Sequence, residues 1–327
     1  MTSEATARFL AHAGVERPLI CGPMYPCSNP ELVAAVSAAG ALGIVQPIAL
    51  TYVHGWDFRE GLRFIRSRTD RPIGMNCLIE GSNQAYRARM EQWITIALEE
   101  GVRFFLTSLG NPRWVVERVR PMGGVVYHDV TEAKWAAKGV EAGVDGLIAV
   151  NREAGGHAGG RDPRALFDEL APFGLPIVGA GGVGDAAGYR AMLAIGYAAV
   201  QCGTRFIATT ECTASTAYKQ AILDADADDI VLSERITGVP VAVIRTAAVD
   251  RMGTRAGWFA KRMLQGRRTR HWMRTWYALR SLYRFKQSLG ADGRRPEVWQ
   301  AGRSVAAIRE ILPAGEVVRR LTEMGDQ

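Results

Sequence analysis

Short apolar runs, each closed by a turn, recur eight times in the first two-thirds of the chain, at 19–21, 43–45, 73–76, 104–107, 125–127, 146–150, 177–179 and 199–202. Runs of this length predict buried strands. Between them lie stretches with helical spacing of apolar positions, among them 30–39, 85–100, 132–142, 186–195 and 211–223, several opened by Asn, Thr or Asp caps or by Asn-Pro, which predict helices. Strict alternation implies parallel strands joined by crossover helices. An open doubly wound sheet shares that alternation, but the count of eight favours an α/β fold closed as a (β/α)8 TIM barrel.

Beyond residue 223 the pattern changes. Asp224, Asp226, Asp228 and Asp229 form an acidic patch, ITGVPVAVIRT (236–246) reads as a strand outside the eightfold repeat, and 261–286 carries nine Lys or Arg and no acidic residue. Since the whole chain has a net charge of +7, the basicity is local. Basic residues interleaved with Trp272, Trp276, Tyr277, Tyr283 and Phe285 suit a nucleic-acid or membrane-surface grip. Aromatics at such spacing also pack a helix onto its own protein, and that is the expectation here. Residues 225–286 are therefore read as a small basic second domain, a lid over the barrel mouth, with 1–224 and 287–327 forming the barrel.

With 327 residues and 48% hydrophobic content, the chain can bury one large core. No stretch nears about 18 uninterrupted apolar residues, so no membrane span is expected, and MTSEATARFL lacks the features of a signal peptide, which makes the cytoplasm the expected location. Cys21, Cys27, Cys77, Cys202 and Cys212 are odd in number and form no CxxC pair, as suits reduced thiols rather than disulfides or zinc.

The glycine pattern carries chemistry. GAGGVGD at 179–185 follows the seventh run and QCGT at 201–204 ends the eighth. Glycine lets a backbone approach a phosphate closely, and Asp185 stands where a helix begins, its positive end expected to face the anion. Gly179, Gly181 and Gly184 also satisfy GxGxxG, yet about twenty residues on, where a dinucleotide fold places a ribose-binding acid, stand Gln201, Cys202 and Gly203. A phosphate shared by the last two turns of a barrel is the better reading.

The sixth run leads into EAGGHAGG at 153–160. A histidine in a glycine-rich loop at the C-terminal end of a barrel strand lies where barrel enzymes keep their catalysts, and imidazole exchanges protons near neutrality. His157 is thus the candidate catalytic residue. No metal site is expected around it, only Glu153 and Asp162 being near in sequence. His54 and His128 follow the second and fifth strands and could line the mouth, whereas His12 and His271 look peripheral.

The set CGPMYP (21–26), MN (75–76), EAGGHAGG, GAGGVGD and QCGTRF (201–206) resembles the nitronate monooxygenase family, formerly called 2-nitropropane dioxygenases, which also embraces NADH:quinone reductases and flavin-dependent enoyl-acyl-carrier-protein reductases. The resemblance implies FMN as cofactor. It places Pro23 and Met24 against the flavin, Asn76 at the isoalloxazine edge, Gly155 and Gly156 close to the cofactor with His157 beside its reactive face, and the phosphate between Gly181 and Gly182 on one side and Gln201, Cys202, Gly203 and Thr204 on the other. Many members have Gln where this chain has Val150, so the polarity there differs.

The implied reaction is oxidation of alkyl nitronates, and of nitroalkanes if His157 removes the α-proton, by O2 to a carbonyl compound and nitrite. The alternative is an NAD(P)H-dependent FMN reductase of quinones or enoyl thioesters. A third class, a basic nucleic-acid or lipid-binding module, leaves the glycine and histidine motifs without purpose. The expected partners are a small-molecule substrate with O2 or NAD(P)H, no nucleic acid, and a homodimer should the chain self-associate.

Overall fold

The computed structural model describes residues 3–79, 84–236, 238–255 and 298–323. Its centre is a closed barrel of eight parallel strands in sequential order: β1 (Leu19–Cys21), β2 (Leu42–Val45), β3 (Ile73–Ile79), β4 (Phe104–Leu109), β5 (Val125–Val130), β6 (Gly146–Val150), β7 (Ile177–Ala180) and β8 (Ala199–Cys202), with β8 pairing back onto β1. The barrel expected from the alternation is present. Strands β3, β4 and β5 run past their expected ends at Asn76, Thr107 and Tyr127, because polar side chains at a barrel mouth do not stop the ladder.

Helices α1 (Glu4–Ala13), α2 (Pro30–Ala38), α3 (Phe58–Arg66), α4 (Gln84–Glu99), α5 (Arg113–Val119), α6 (Ala133–Glu141), α7 (Pro163–Leu170), α8 (Ala186–Ile195), α9 (Thr204–Ile207) and α10 (Thr216–Asp224) follow in chain order. In α3 the apolar positions Phe58, Leu62 and Ile65 are buried, and Asp57 caps the first turn by accepting from the amides of Arg59 and Glu60.

Two apolar layers separate along each strand. Ile20, Leu42, Ile44, Phe104, Leu106, Tyr127, Ile148, Val178 and Ala199 fill the barrel interior. Cys21, Val45, Met75, Cys77, Phe105, Val126, Val130, Ala149, Val200 and Cys202 pack outward against the helices. This alternation is the period of two that a strand imposes.

Helix α1 closes the N-terminal end of the barrel. Ser3 accepts from the Thr6 amide at its start, and Gly14, at φ +66°, ends it. Phe9 sits edge-on to Phe104 and Tyr127, at 6.3 and 6.0 Å. His12 is half-buried there with its Nδ1 3.1 Å from the Tyr127 hydroxyl, which corrects the expectation that it is peripheral. Phe9 is fully buried, so Phe9→Ala is expected to cost about 3–5 kcal/mol. The melting temperature should fall while ligand binding at the far end is unchanged.

Of 225–286, the described part holds β9 (Ile230–Ser233) paired antiparallel with β10 (Val241–Ile244), followed by α11 (Ala247–Met252). Ile236, Val241, Val243, Val249 and Val298 make a small core of their own. The strand expected within 236–246 is β10. The basic run 261–286 lies outside the described residues. The returning tail ends in α12 (Ala314–Thr322), which packs against α2 and α8. Among the described residues no helix is long and apolar enough to cross a membrane.

Candidate active site at the barrel mouth

Strand parity determines which side chains look into the mouth. Asn76 is paired with Leu106, Gln201 with Ile20, and Asp129 follows Tyr127 by two on β5, so all three share the inward face. Gln46, two residues past Ile44, joins them and accepts from the Ala49 amide at 2.5 Å. An apolar barrel is thus topped by a polar ring of Gln46, Asn76, Asp129 and Gln201.

Three acceptors in this ring, Asn76 Oδ1, Asp129 Oδ1 and Gln201 Oε1, are buried without a hydrogen-bond partner. Leaving such groups unpaired costs about 1–3 kcal/mol each, so their grouping at the mouth calls for a functional explanation. Gln201 Cγ lies 2.8 Å from where a Cβ on Gly22 would stand, so a side chain at 22 has no room.

Asp129 is the extreme case. Burial with no charged partner pushes its carboxyl up to about 7 from 3.8. For an acid whose folded value is raised, both folded and unfolded chains hold the proton below about pH 4, and only the folded chain holds it between about 4 and 7. Stability is therefore lost as pH rises through that window, by about 4 kcal/mol in total, and stays lost above it. Asp129→Asn, which cannot ionise, is expected to melt with the wild type near pH 4 and progressively above it towards pH 8 in the ligand-free protein.

The glycine turns lie side by side above the ring. Gly181 and Gly182 have φ of +116° and +86°, values that favour glycine. At Gly181 a Cβ would also fall 2.5 Å from both Ala154 N and Asn151 Oδ1. Asn151 is fully buried and bridges the two loops: its Nδ2 donates to Gly181 O at 3.1 Å, and its Oδ1 accepts from Glu153 N at 2.8 Å. Met24 lies beside the second turn, its Sδ 3.5 Å from a Cβ built on Gly203. Half-buried Pro23 and Met24 belong to the loop that brings β1 to that turn, where Met24 N donates to Ser28 Oγ at 2.8 Å.

Several expectations change. The end of α8 is occupied by its own cap, since Asp185 Oδ1 accepts from Gly188 N at 2.8 Å; a carboxylate stands where an anion was expected. Gln201 directs its side chain into the barrel, and Cys202 packs outward with Sγ 3.7 Å from Val183 O, so Cys202 offers the turn only its backbone. Burial pushes the Cys202 thiol up to about 12.

Gly155 is needed by the returning chain. A Cβ there would lie 2.9 Å from Gly302 N, and one on Gly302 would lie 2.6 Å from Gly155 N, so two backbones touch. Gly302 N in turn donates to Thr204 Oγ1 at 3.0 Å and Arg303 N to Glu153 O at 3.0 Å. The buried Arg205 pins the same tail by donating from Nη2 to Glu310 O at 2.8 Å. The 298–304 segment, which the sequence pattern does not mark as part of the site, is its third wall.

His157 is exposed on the rim, and its Nδ1 lies 3.1 Å from Pro240 O. A carbonyl only accepts, so Nδ1 carries the hydrogen and Nε2 presents a lone pair. Gly156, at φ +69°, bridges to Ala242, whose amide donates to Gly156 O at 2.7 Å. The small lobe therefore orients the histidine. His128 does not line the mouth: it shares the outward face with Val126 and Val130, is buried under Gly139, and has Nδ1 2.9 Å from Thr107 Oγ1. Burial lowers its imidazole to about 4. His54 is half-buried with Nε2 3.1 Å from Pro26 O.

A closed barrel with paired glycine turns, a polar mouth and a rim histidine has the layout of a barrel enzyme with its site at the C-terminal ends of the strands. The chain belongs to the nitronate monooxygenase family, whose model matches residues 7–324. A nitronate monooxygenase of Pseudomonas aeruginosa is 32% identical over 276 residues, spanning 71% of this chain and 78% of that one. The (3aS,4S,5R,7aS)-5-hydroxy-7a-methyl-1-oxo-octahydro-1H-indene-4-carboxyl-CoA dehydrogenase of Mycobacterium tuberculosis is 31% identical over 253 residues, 76% of this chain and 69% of its own. Among solved structures, FabK from Thermotoga maritima superposes with a TM-score of 0.77 at 27% identity, covering 96% of this chain and 94% of its own.

Proposed function

We propose that the barrel binds FMN and oxidises alkyl nitronates, with His157 extending the reaction to neutral nitroalkanes. The observation that carries the flavin is the ring of Asn76, Asp129 and Gln201 beneath the glycine turns, polar side chains that each hold a buried oxygen without a partner. An imide edge offers one N–H to these oxygens and two carbonyls to the amide N–H groups of Asn76 and Gln201, and the phosphate of FMN suits backbone amides at Gly181, Gly182, Gly203 and Thr204. When bound, FMN supplies the electron carriage between nitronate and O2 that no side chain here provides.

The chain's own residues bind, orient and move the proton. Nε2 of His157, its lone pair directed by the Pro240 contact, accepts the α-proton of a nitroalkane, and the resulting imidazolium balances the nitronate charge. Asn151 and Gly302 keep the turns in register so that the anion meets fixed donors rather than mobile ones.

A second reading rests on the Mycobacterium tuberculosis relative, a dehydrogenase of a carboxyl-CoA compound, and on Val150, an apolar residue on the inner face of β6. In that reading NAD(P)H or a thioester exchanges electrons with FMN at the same mouth. Anaerobic mixing decides between the two. Bleaching of the bound flavin by a nitronate and not by NADH supports the first reading, and rapid bleaching by NADH overturns it in favour of the second.

A further inference from the structure

We infer that Asp129 works as a neutral acid at the barrel mouth, donating a hydrogen bond to the bound flavin and tying FMN affinity to one proton. The inference rests on the flavin reading given above and extends it to a residue that no motif marks.

Its placement comes from register. Asp129 pairs with Ile148 across to β6 and lies one residue above the Thr107–His128 pair, so Ser108 is its neighbour on β4. Tyr127 and Ile148 face the interior, which puts Asp129 on the same inward face, beside Ile148 and one step nearer the mouth than Tyr127, with Asn76, Gln46 and Gln201 on the inward faces of the other strands. The residue keeps some accessible surface while its Oδ1 is shut off and unpartnered. A carboxyl in that condition borders an open crevice rather than a filled core.

Charge explains why it should be neutral. Other acids near the mouth are neutralised: Glu153 lies 2.9 Å from Arg152 and 3.6 Å from Arg303. The groups that surround Asp129 on adjoining strands are Ser108, Ile148 and Val150, with amides across the ring, and among the described residues none of them is charged. Of the titratable groups, His128 faces outward, Tyr127 directs its hydroxyl to His12 at the opposite end, and His157 on the rim is held by Pro240. With desolvation unopposed, the proton stays on.

The ligand's chemistry asks for that proton. An isoalloxazine ring presents acceptors at two carbonyls and two ring nitrogens against one N–H donor, so a mouth that binds it needs donors. Asn76 and Gln201 can each supply one from their amides, and a protonated carboxyl adds another, whereas an ionised Asp129 would set an anion against those acceptors. Keeping a buried acid that costs stability is what a functional site does and what a core does not.

The test is FMN binding to stripped wild-type protein and to Asp129→Asn, followed by flavin fluorescence from about pH 6 to about pH 9. The ratio of the two dissociation constants, in which titration of the FMN phosphate cancels, is expected to rise at least about tenfold over that range as the wild type loses its proton. In parallel, the infrared carbonyl band of a protonated carboxylic acid should be present in the wild type near neutral pH and shift when FMN is added. FMN bound with a flat ratio, or a wild type with no ligand-sensitive carboxylic band, overturns the role of Asp129 alone. No FMN binding at any pH overturns the flavin reading and this one with it. Should Asp129→Asn not fold, the wild-type infrared shift decides.

Discussion

Replacing His157 by Ala is expected to lower turnover of a neutral nitroalkane by about 10² to 10⁴, the usual contribution of a positioned general base, while FMN stays bound. The side chain is exposed and, among the described residues, is held by its contact with Pro240 O, so its loss leaves the barrel and the glycine turns intact. A preformed nitronate needs no deprotonation and should lose less. The difference between the two substrates, read as kcat/KM, isolates proton transfer from charge pairing. Equal and small losses on both would reduce His157 to a loop residue. His128 could not then take its place, since it is buried under α6 on the outer face of β5.

Gly203→Asp is expected to give a folded, colourless protein. Gly203 has φ −110°, which any residue adopts, and a Cβ there meets nothing nearer than Met24 Sδ at 3.5 Å, so the fold should accept a side chain. A carboxylate brought within about 4 Å of a phosphate charge is repelled by about 4 kcal/mol at the effective dielectric near a protein surface, close to a thousandfold in FMN affinity. Gly203→Ala should bind FMN nearly as well as the wild type, which separates charge from bulk. Gly182 is the poorer probe of the same cradle, because its φ of +86° and Glu153 Cβ at 3.1 Å add strain to any substitution. Retention of FMN by Gly203→Asp would remove the phosphate from this turn.

The glycine turns were visible in the letters because each requirement is local. A left-handed φ at Gly181 and Gly182 demands glycine whatever the rest of the chain does. Gly155 shows the limit of that reasoning. Its missing side chain makes room for Gly302, nearly 150 residues away in sequence, and nothing in EAGGHAGG distinguishes a glycine kept for a ligand from one kept for another stretch of backbone. Asp185 is similar: the letter marks the helix start, but only the bond to Gly188 N reveals that the carboxylate fills the end it was expected to leave open.

Eight apolar runs separated by helical stretches were enough to favour a barrel, since strand and helix periods are properties of the local backbone, and the closure itself is the pairing of β8 with β1. The inner ring could not be read the same way. Strands β3 to β6 carry apolar residues on both faces, and polar ones on both faces of β5, so a period of two leaves little contrast to tell inside from outside, and YHD at 127–129 gave no sign that His128 turns out and Asp129 turns in. That choice was made by the register of β5 against β4 and β6 and by the Phe9 plug under Tyr127. Register is a relation between strands about twenty residues apart, and the tail at Gly302 is farther still. What depends on one segment's own backbone was therefore settled by the sequence, and what depends on two distant segments meeting was settled only by the tertiary structure.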